Sequence, residues 1–130
     1  MITELLPEIG IRFKYSCEKI IATKIKEIAC YVPLDYDKEG KNIKPYDYEL
    51  PDGNHIILDE QRIKCPEVLF NPSIINREEK GIPQYCYECI QKSDIFSRKD
   101  LYRSIVLSGG TTLFNGFPER LNKEIKKLIP

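Results

Sequence analysis

Apolar residues near the start of the chain recur at helical spacing. Cys17, Ile21, Ile25, Ile28 and Val32 fall on one stripe at four- and three-residue steps, which predicts a helix over 16–32. Ser16 is placed to cap it, and Glu18 suits the positive end of its dipole. The other side carries Lys19, Thr23 and Lys26, with Glu27 on its border; the simplest reading of such a side is a solvated face. From Asp35 to Tyr46 the chain turns polar, and Gly40 and Pro45 break any helix there. "YDYELPDGNHIIL" then reads as a hairpin reversing at Pro51-Asp52-Gly53. A short helix is expected over 61–70, limited by Pro66, with a loop at Asn71-Pro72-Ser73.

The second half opens with "IINREEKG" (74–81), a charged surface segment. Pro83 suits the first turn of a helix reaching about Ser93, with Tyr85, Cys89 and Ile90 on its buried side. A last helix starts at Pro118. Phe117, Leu121, Ile125 and Leu128 share one face, and Lys123, Lys126 and Lys127 complement the end of its dipole. Between these helices lies "SIVLS" (104–108), whose unbroken apolar run suits a strand covered on both faces. The hairpin is the other clear source of strands, and a two-stranded hairpin is marginal alone. The strand's sheet neighbours are therefore expected outside this stretch of sequence. The class is mixed α/β. Ser108-Gly109-Gly110-Thr111 follows the strand, and a glycine pair there lets a backbone approach a ligand or another element. The residues alone leave open which.

Charge narrows the partners. Lys and Arg total 20, as do Asp and Glu, so the chain lacks the basic balance expected of a nucleic-acid binder. A 42% hydrophobic content argues against disorder. No apolar run approaches a membrane span, and "MITELLPEIG" lacks the basic start and apolar run of a secretory signal. Cytosol or nucleus is expected. Five cysteines without such a signal argue against a disulfide framework. Cys86 and Cys89 have metal-ligand spacing, but a structural zinc site needs four ligands and no second pair matches. They read as ordinary thiols, and a small metal-binding domain is the least favoured reading.

Several separated segments nevertheless share one resemblance. "IKEIACYVPLDY" (25–36), "YELPDG" (48–53), "KCPEVLFNPS" (64–73), "RKDLY" (98–102) and "VLSGGTTLFNG" (106–116) resemble successive segments of actins, in order and in approximate spacing. The loop after Tyr36 is a few residues shorter than theirs. The resemblance implies a partial actin-like ATPase fold covering roughly the third quarter of an actin. Residues 1–77 would form the outer small subdomain and 78–130 part of the inner one. The sheet partners of 104–108 would then come from an earlier stretch.

The same resemblance implies site residues. Gly109, Gly110 and Thr111 would lie near the ribose and α-phosphate of ATP, with Leu113 and Phe114 on the adenine side. Lys26 would border the purine, and Glu27 would accept hydrogen bonds from ribose hydroxyls. ATP with Mg is the implied cofactor of the intact fold. Thr23 stands where actins usually carry an arginine over the adenine, and Leu113 and Phe114 where methionine and tyrosine are usual. "IINREEKG" replaces an apolar loop that helps join filament strands; its charges would be costly to desolvate. The phosphate loops and water-positioning residues lie outside the matched segments. By itself the chain is thus expected to be no enzyme and to need no cofactor. Implied partners are other actin-like subunits or actin-binding proteins, with no nucleic acid and no membrane. The implied location is the cytoplasm and its cytoskeleton, with the nucleus as the alternative. The runner-up function is a short non-enzymatic interaction module whose nucleotide wall is a relic.

Overall fold

The structure, a computed structural model, describes residues 18–129. The expected cap Ser16 and the first stripe residue Cys17 lie outside the described residues. Helix α1 runs Glu18–Ala29. Its inward line is Ala22, Ile25 and Ala29, while Ile28 is 59% exposed and Ile21 only half-buried. The expected isoleucine stripe is thus rotated. The two alanines, passed over in counting large apolar residues, are small enough to bring the helix close to the elements it packs on.

After α1 comes one helical turn, α2 (Tyr36–Glu39), in the stretch expected to be irregular. It closes with the Gly40 N–H on the Tyr36 carbonyl at 2.9 Å, so Gly40 ends the turn rather than preventing it. Strands β1 (Tyr46–Glu49) and β2 (His55–Leu58) form the expected hairpin, pairing Tyr46 with Leu58 and Glu49 with His55. Gly53 at φ +83 supplies the left-handed residue, and the Asp52 carboxylate accepts from the Asn54 N–H at 3.0 Å. Those Asn54 contacts hold the Asp52 carboxyl below its ordinary range. Ile56 and Leu58 point inward and Ile57 outward, the alternation of a strand with one covered face.

Helix α3 (Gln61–Glu67) ends just past Pro66, three residues short of the expected 61–70 span. Its Arg62 ties three elements together. The guanidinium donates to the Ala29 carbonyl at 2.9 Å and to the Lys44 carbonyl, and lies 5.1 and 5.2 Å from the Tyr31 and Tyr46 rings. Lysine cannot reproduce a planar fork stacked on rings. We expect Arg62→Lys to lower stability by about 1–2 kcal/mol, read as a fall in the urea unfolding midpoint.

A 3-10 turn (Pro72–Ile75) leads to α4 (Ile82–Gln91), where Pro83 and Ile90 are buried. Tyr85 is half exposed and Cys89 exposed, so of the expected buried side only Ile90 faces in. The anchor is Gly81. A Cβ there would lie 2.0 Å from the Phe70 carbonyl oxygen, and the Ile82 N–H bonds the Leu69 carbonyl at 2.8 Å. That contact fixes the azimuth of the helix, which helical spacing alone did not specify. Helix α5 (Arg98–Arg103), not anticipated, follows.

Residues 104–108 then run without ladder bonds to any described residue. Ile105 and Leu107 pack on the core while Val106 is 88% exposed. A second 3-10 turn (Gly110–Leu113) precedes α6 (Phe117–Leu128). Phe117, Leu121 and Ile125 are buried as expected. So is Arg120, which was not foreseen. It grips Glu67 with two bonds of 3.0 and 3.1 Å, donates to the Pro33 carbonyl at 2.9 Å and to Glu124 at 2.8 Å, and lies over the Phe70 ring. Burial pushes the Glu67 carboxyl up, against the pull of Arg120. One apolar cluster joins α1, the hairpin, α3 and α6.

Candidate functional site

The glycine turn is shaped by its backbone. Gly109 adopts φ +95, a conformation open to glycine and strained for other residues. The turn closes through the Gly109 carbonyl, which accepts from the Thr112 N–H at 3.1 Å and the Thr112 hydroxyl at 2.7 Å. A Cβ at Gly109 or Gly110 would meet no atom of the described residues within 4 Å. Among the described residues the pair therefore does not serve close packing. That role falls to Gly116, at φ +83, where a Cβ would lie 2.2 Å from the Val32 carbonyl oxygen. Sequence reasoning missed this residue. Its signal was there, a glycine directly before a Phe-Pro helix start, but the preceding glycine pair drew the interpretation.

Gly116 lets the turn dock on the end of α1. The Val32 N–H bonds the Asn115 carbonyl at 2.8 Å, and Tyr31 and Asn115 form an isolated parallel bridge. Docking brings two distant parts of the chain together. The Lys26 ammonium lies 5.7 Å from the Phe114 ring centroid, within range of a cation–π attraction. Phe114 itself is buried, with Leu113 beside it 83% exposed. Thr111, Gly109 and Gly110 are exposed, and Lys26 is half-buried. Glu27 is exposed on the same stretch of α1, and its carboxylate engages no protein partner among the described residues.

Of the candidate residues the structure joins Lys26 and Phe114 directly, while Glu27, Gly109, Gly110, Thr111 and Leu113 are exposed. Among the described residues no three His, Cys, Asp or Glu side chains converge. Cys86 and Cys89 sit on α4, half-buried and exposed. A cleft of 470 Å³ lies elsewhere, lined by Asp35, Glu67, Gln84, Arg120 and Lys123 among others. A second, of 420 Å³, runs beside Ile105, Leu107, Leu121 and Ile125.

A sequence profile of the actin family matches residues 2–130. The chain belongs to the actin family. Over 130 residues it is 41% identical to actin-related protein 2 of Caenorhabditis briggsae, an alignment covering 96% of this chain. It spans 33% of that relative's length. The mixed helix and strand arrangement agrees with part of an actin-like fold. Among the described residues no helix is long and apolar enough to cross a membrane.

Proposed function

We propose that this actin-family chain supplies the adenosine-side wall of an ATP site whose phosphate and Mg contacts belong to other parts of an actin-like fold. In this reading Lys26 borders the purine and Phe114 and Leu113 form the adenine ledge. Glu27 accepts from the ribose hydroxyls. Gly109, Gly110 and Thr111 bring backbone to the ribose and α-phosphate. The observation that carries the reading is the Lys26–Phe114 contact, which assembles residues 88 positions apart on one face. The empty space over Gly109 and Gly110 supports it, since unshielded backbone is what a phosphate-bearing ligand approaches.

Residues 1–77 are then the outer subdomain and 78–130 part of the inner one, with 104–108 awaiting sheet neighbours. The intact protein binds ATP with Mg and acts in the cytoplasmic cytoskeleton with actin-like subunits or actin-binding proteins, as the similarity to an actin-related protein suggests. The charged 74–81 segment disfavours the apolar filament contact of actins. Lys80 pairs with Glu88 at 2.6 Å and Arg77 lies 3.7 Å from Glu79, all at the surface, so an apolar partner there would strip water from charges. The chain alone hydrolyses no ATP, because phosphoryl transfer depends on positioning and charge around the phosphates and metal.

The reading is tested by titrating Mg-ATP into the isotope-labelled chain and following amide shifts. One wall cannot offset the entropy of immobilising the whole ligand, so a dissociation constant weaker than about 1 mM is expected. The shifts should cluster at Lys26, Glu27 and 109–114. Shifts centred on Arg120 and Lys123, or none at the wall at any accessible concentration, would overturn the assignment. Gly110→Ala separates the wall from the fold. Stability should stay within about 0.5 kcal/mol, as for surface changes generally, while shifts at 109–114 weaken. A Gly110→Ala chain that unfolds more readily would place the glycine pair in packing instead.

A further inference from the structure

Residues 104–108, Ser-Ile-Val-Leu-Ser, alternate in burial. Ile105 and Leu107 are half-buried against the core, while Ser104, Val106 and Ser108 are exposed. That period of two belongs to an extended strand with one covered face, not the two covered faces that an unbroken apolar run suggests. Among the described residues the stretch makes one backbone hydrogen bond, from the Ser104 N–H to the Leu101 carbonyl at 3.2 Å, which closes the end of α5. The rest of its backbone presents an unpaired edge. Edges that stay single in native proteins are commonly guarded by charged residues or proline. Neither occurs anywhere in 104–117. Beside this edge lies the 420 Å³ cleft, lined by Ile105 and Leu107, by Leu121 and Ile125 of α6, and by the exposed Arg103 and Lys126.

We propose that 104–108 pairs antiparallel with the same residues of a second copy of this chain, giving a two-fold dimer centred on Val106. The sequence is nearly palindromic about that residue, so the edge is complementary to itself, as a two-fold contact requires. Val106 stands opposite Val106 of the second copy, Ile105 opposite its Leu107, and Ser104 opposite its Ser108. Residues directly opposite share a face. Ile105 and Leu107 of the second copy therefore point to the side of the cleft, where they add apolar surface next to Leu121 and Ile125. Arg103 falls opposite Gly109 of the second copy, which has no side chain to meet the guanidinium. Sliding by one residue turns the apolar positions outward. Sliding by two sets Arg103 opposite Leu107, or Gly109 opposite Ile105. One register satisfies face, charge and fit together. The uncharged strand also leaves the heads of Arg103 and Lys126 in water, with their stems along the apolar surface. Where other parts of an actin-like fold supply the sheet neighbours of 104–108, they take the place of the second copy. The dimer goes beyond the nucleotide reading, and a monomeric chain would leave the Lys26–Phe114 contact untouched.

Sedimentation velocity of the 130-residue chain under reductant, over a concentration series, reads the association. A monomer–dimer equilibrium with a dissociation constant of roughly 10–100 µM is expected for so small an interface. Amide exchange at 105–107 should slow as the concentration rises. Val106→Lys sets two ammonium groups opposite each other and should weaken the dimer about tenfold or more. Val106→Glu should do the same, and an equimolar mixture of the two variants should dimerise again. Val106 is 88% exposed, so both variants should keep the urea midpoint of the dilute wild type. A wild-type chain that stays monomeric throughout overturns the proposal. Protected 105–107 amides in that monomer would place the cover within the chain, and open ones would leave the edge to a different partner. A dimer that Val106→Lys leaves intact, a mixture that stays monomeric, or growth into open polymers overturns it equally. If a variant fails to fold, the wild-type series and its exchange decide alone.

Discussion

Arg120→Met is expected to lower the unfolding free energy by about 3–5 kcal/mol, because it strands the buried Glu67 carboxylate. The pair is almost completely withdrawn from solvent, with side chains 9% and 4% exposed. Glu67 takes both of its side-chain hydrogen bonds from Arg120, and the same guanidinium satisfies the Pro33 carbonyl and meets Glu124. A loss of that size is a large share of the roughly 5–15 kcal/mol that holds a domain folded. Urea unfolding followed by circular dichroism measures it. Removing both charges should hurt less, since replacing a buried ion pair by apolar groups is often near neutral. Arg120→Met/Glu67→Leu is therefore expected to recover more than half of the loss. A double variant as unstable as the single one would show that the Pro33 carbonyl, not the stranded carboxylate, sets the cost.

The same variant has a pH signature. Burial already pushes the Glu67 carboxyl above its ordinary range, with Arg120 the main group pulling it down. Without Arg120 the folded-state carboxyl rises further. A carboxyl whose folded pKa exceeds its unfolded one binds its proton more tightly when folded. Its stabilising contribution is present at low pH and is lost as pH rises through the folded value. The gap between wild type and Arg120→Met should thus narrow as pH falls from about 7 towards about 5, above the ordinary carboxylate range. A gap that is flat across this window would contradict the burial argument.

Gly116→Ala is the second large effect, expected to cost roughly 2–4 kcal/mol from left-handed strain and steric displacement together. The strain comes from φ +83 and the displacement from a Cβ that would lie 2.2 Å from the Val32 carbonyl oxygen. Backbone must move, because nothing flexible stands at that point. The movement separates Asn115 from Val32 and with it the glycine turn from α1. Hydrogen exchange should therefore speed at the Val32 amide before the α4 amides respond. Gly53→Ala is the comparison: it has the same φ of +83 and no described residue within 4 Å of a Cβ. It should show the strain without the displacement, about 1–2 kcal/mol. Equal losses at the two glycines would mean that the close approach to Val32 carries no energy.

How much was legible in the sequence varied with the kind of signal. The hairpin was, because Pro51-Asp52-Gly53 and the alternation of Ile56, Ile57 and Leu58 are local. The inward face of α6 was, because Phe117, Leu121 and Ile125 are large and regularly spaced. The faces of α1 and α4 were misjudged, since alanines and a proline form the contacts there and carry little periodic signal. Family membership rested on motifs, and the profile match over 2–130 bears it out.

By itself the sequence determined local conformations and the family. Turn glycines, prolines and apolar spacing act over a few residues and need no knowledge of what packs where. Only the tertiary structure decided which glycine serves packing and which leaves backbone open. It also placed Lys26 over Phe114 and buried Arg120 against Glu67. Both pairings join residues 53 or more positions apart. Their energies depend on distance and burial, quantities that exist only once the chain has closed on itself.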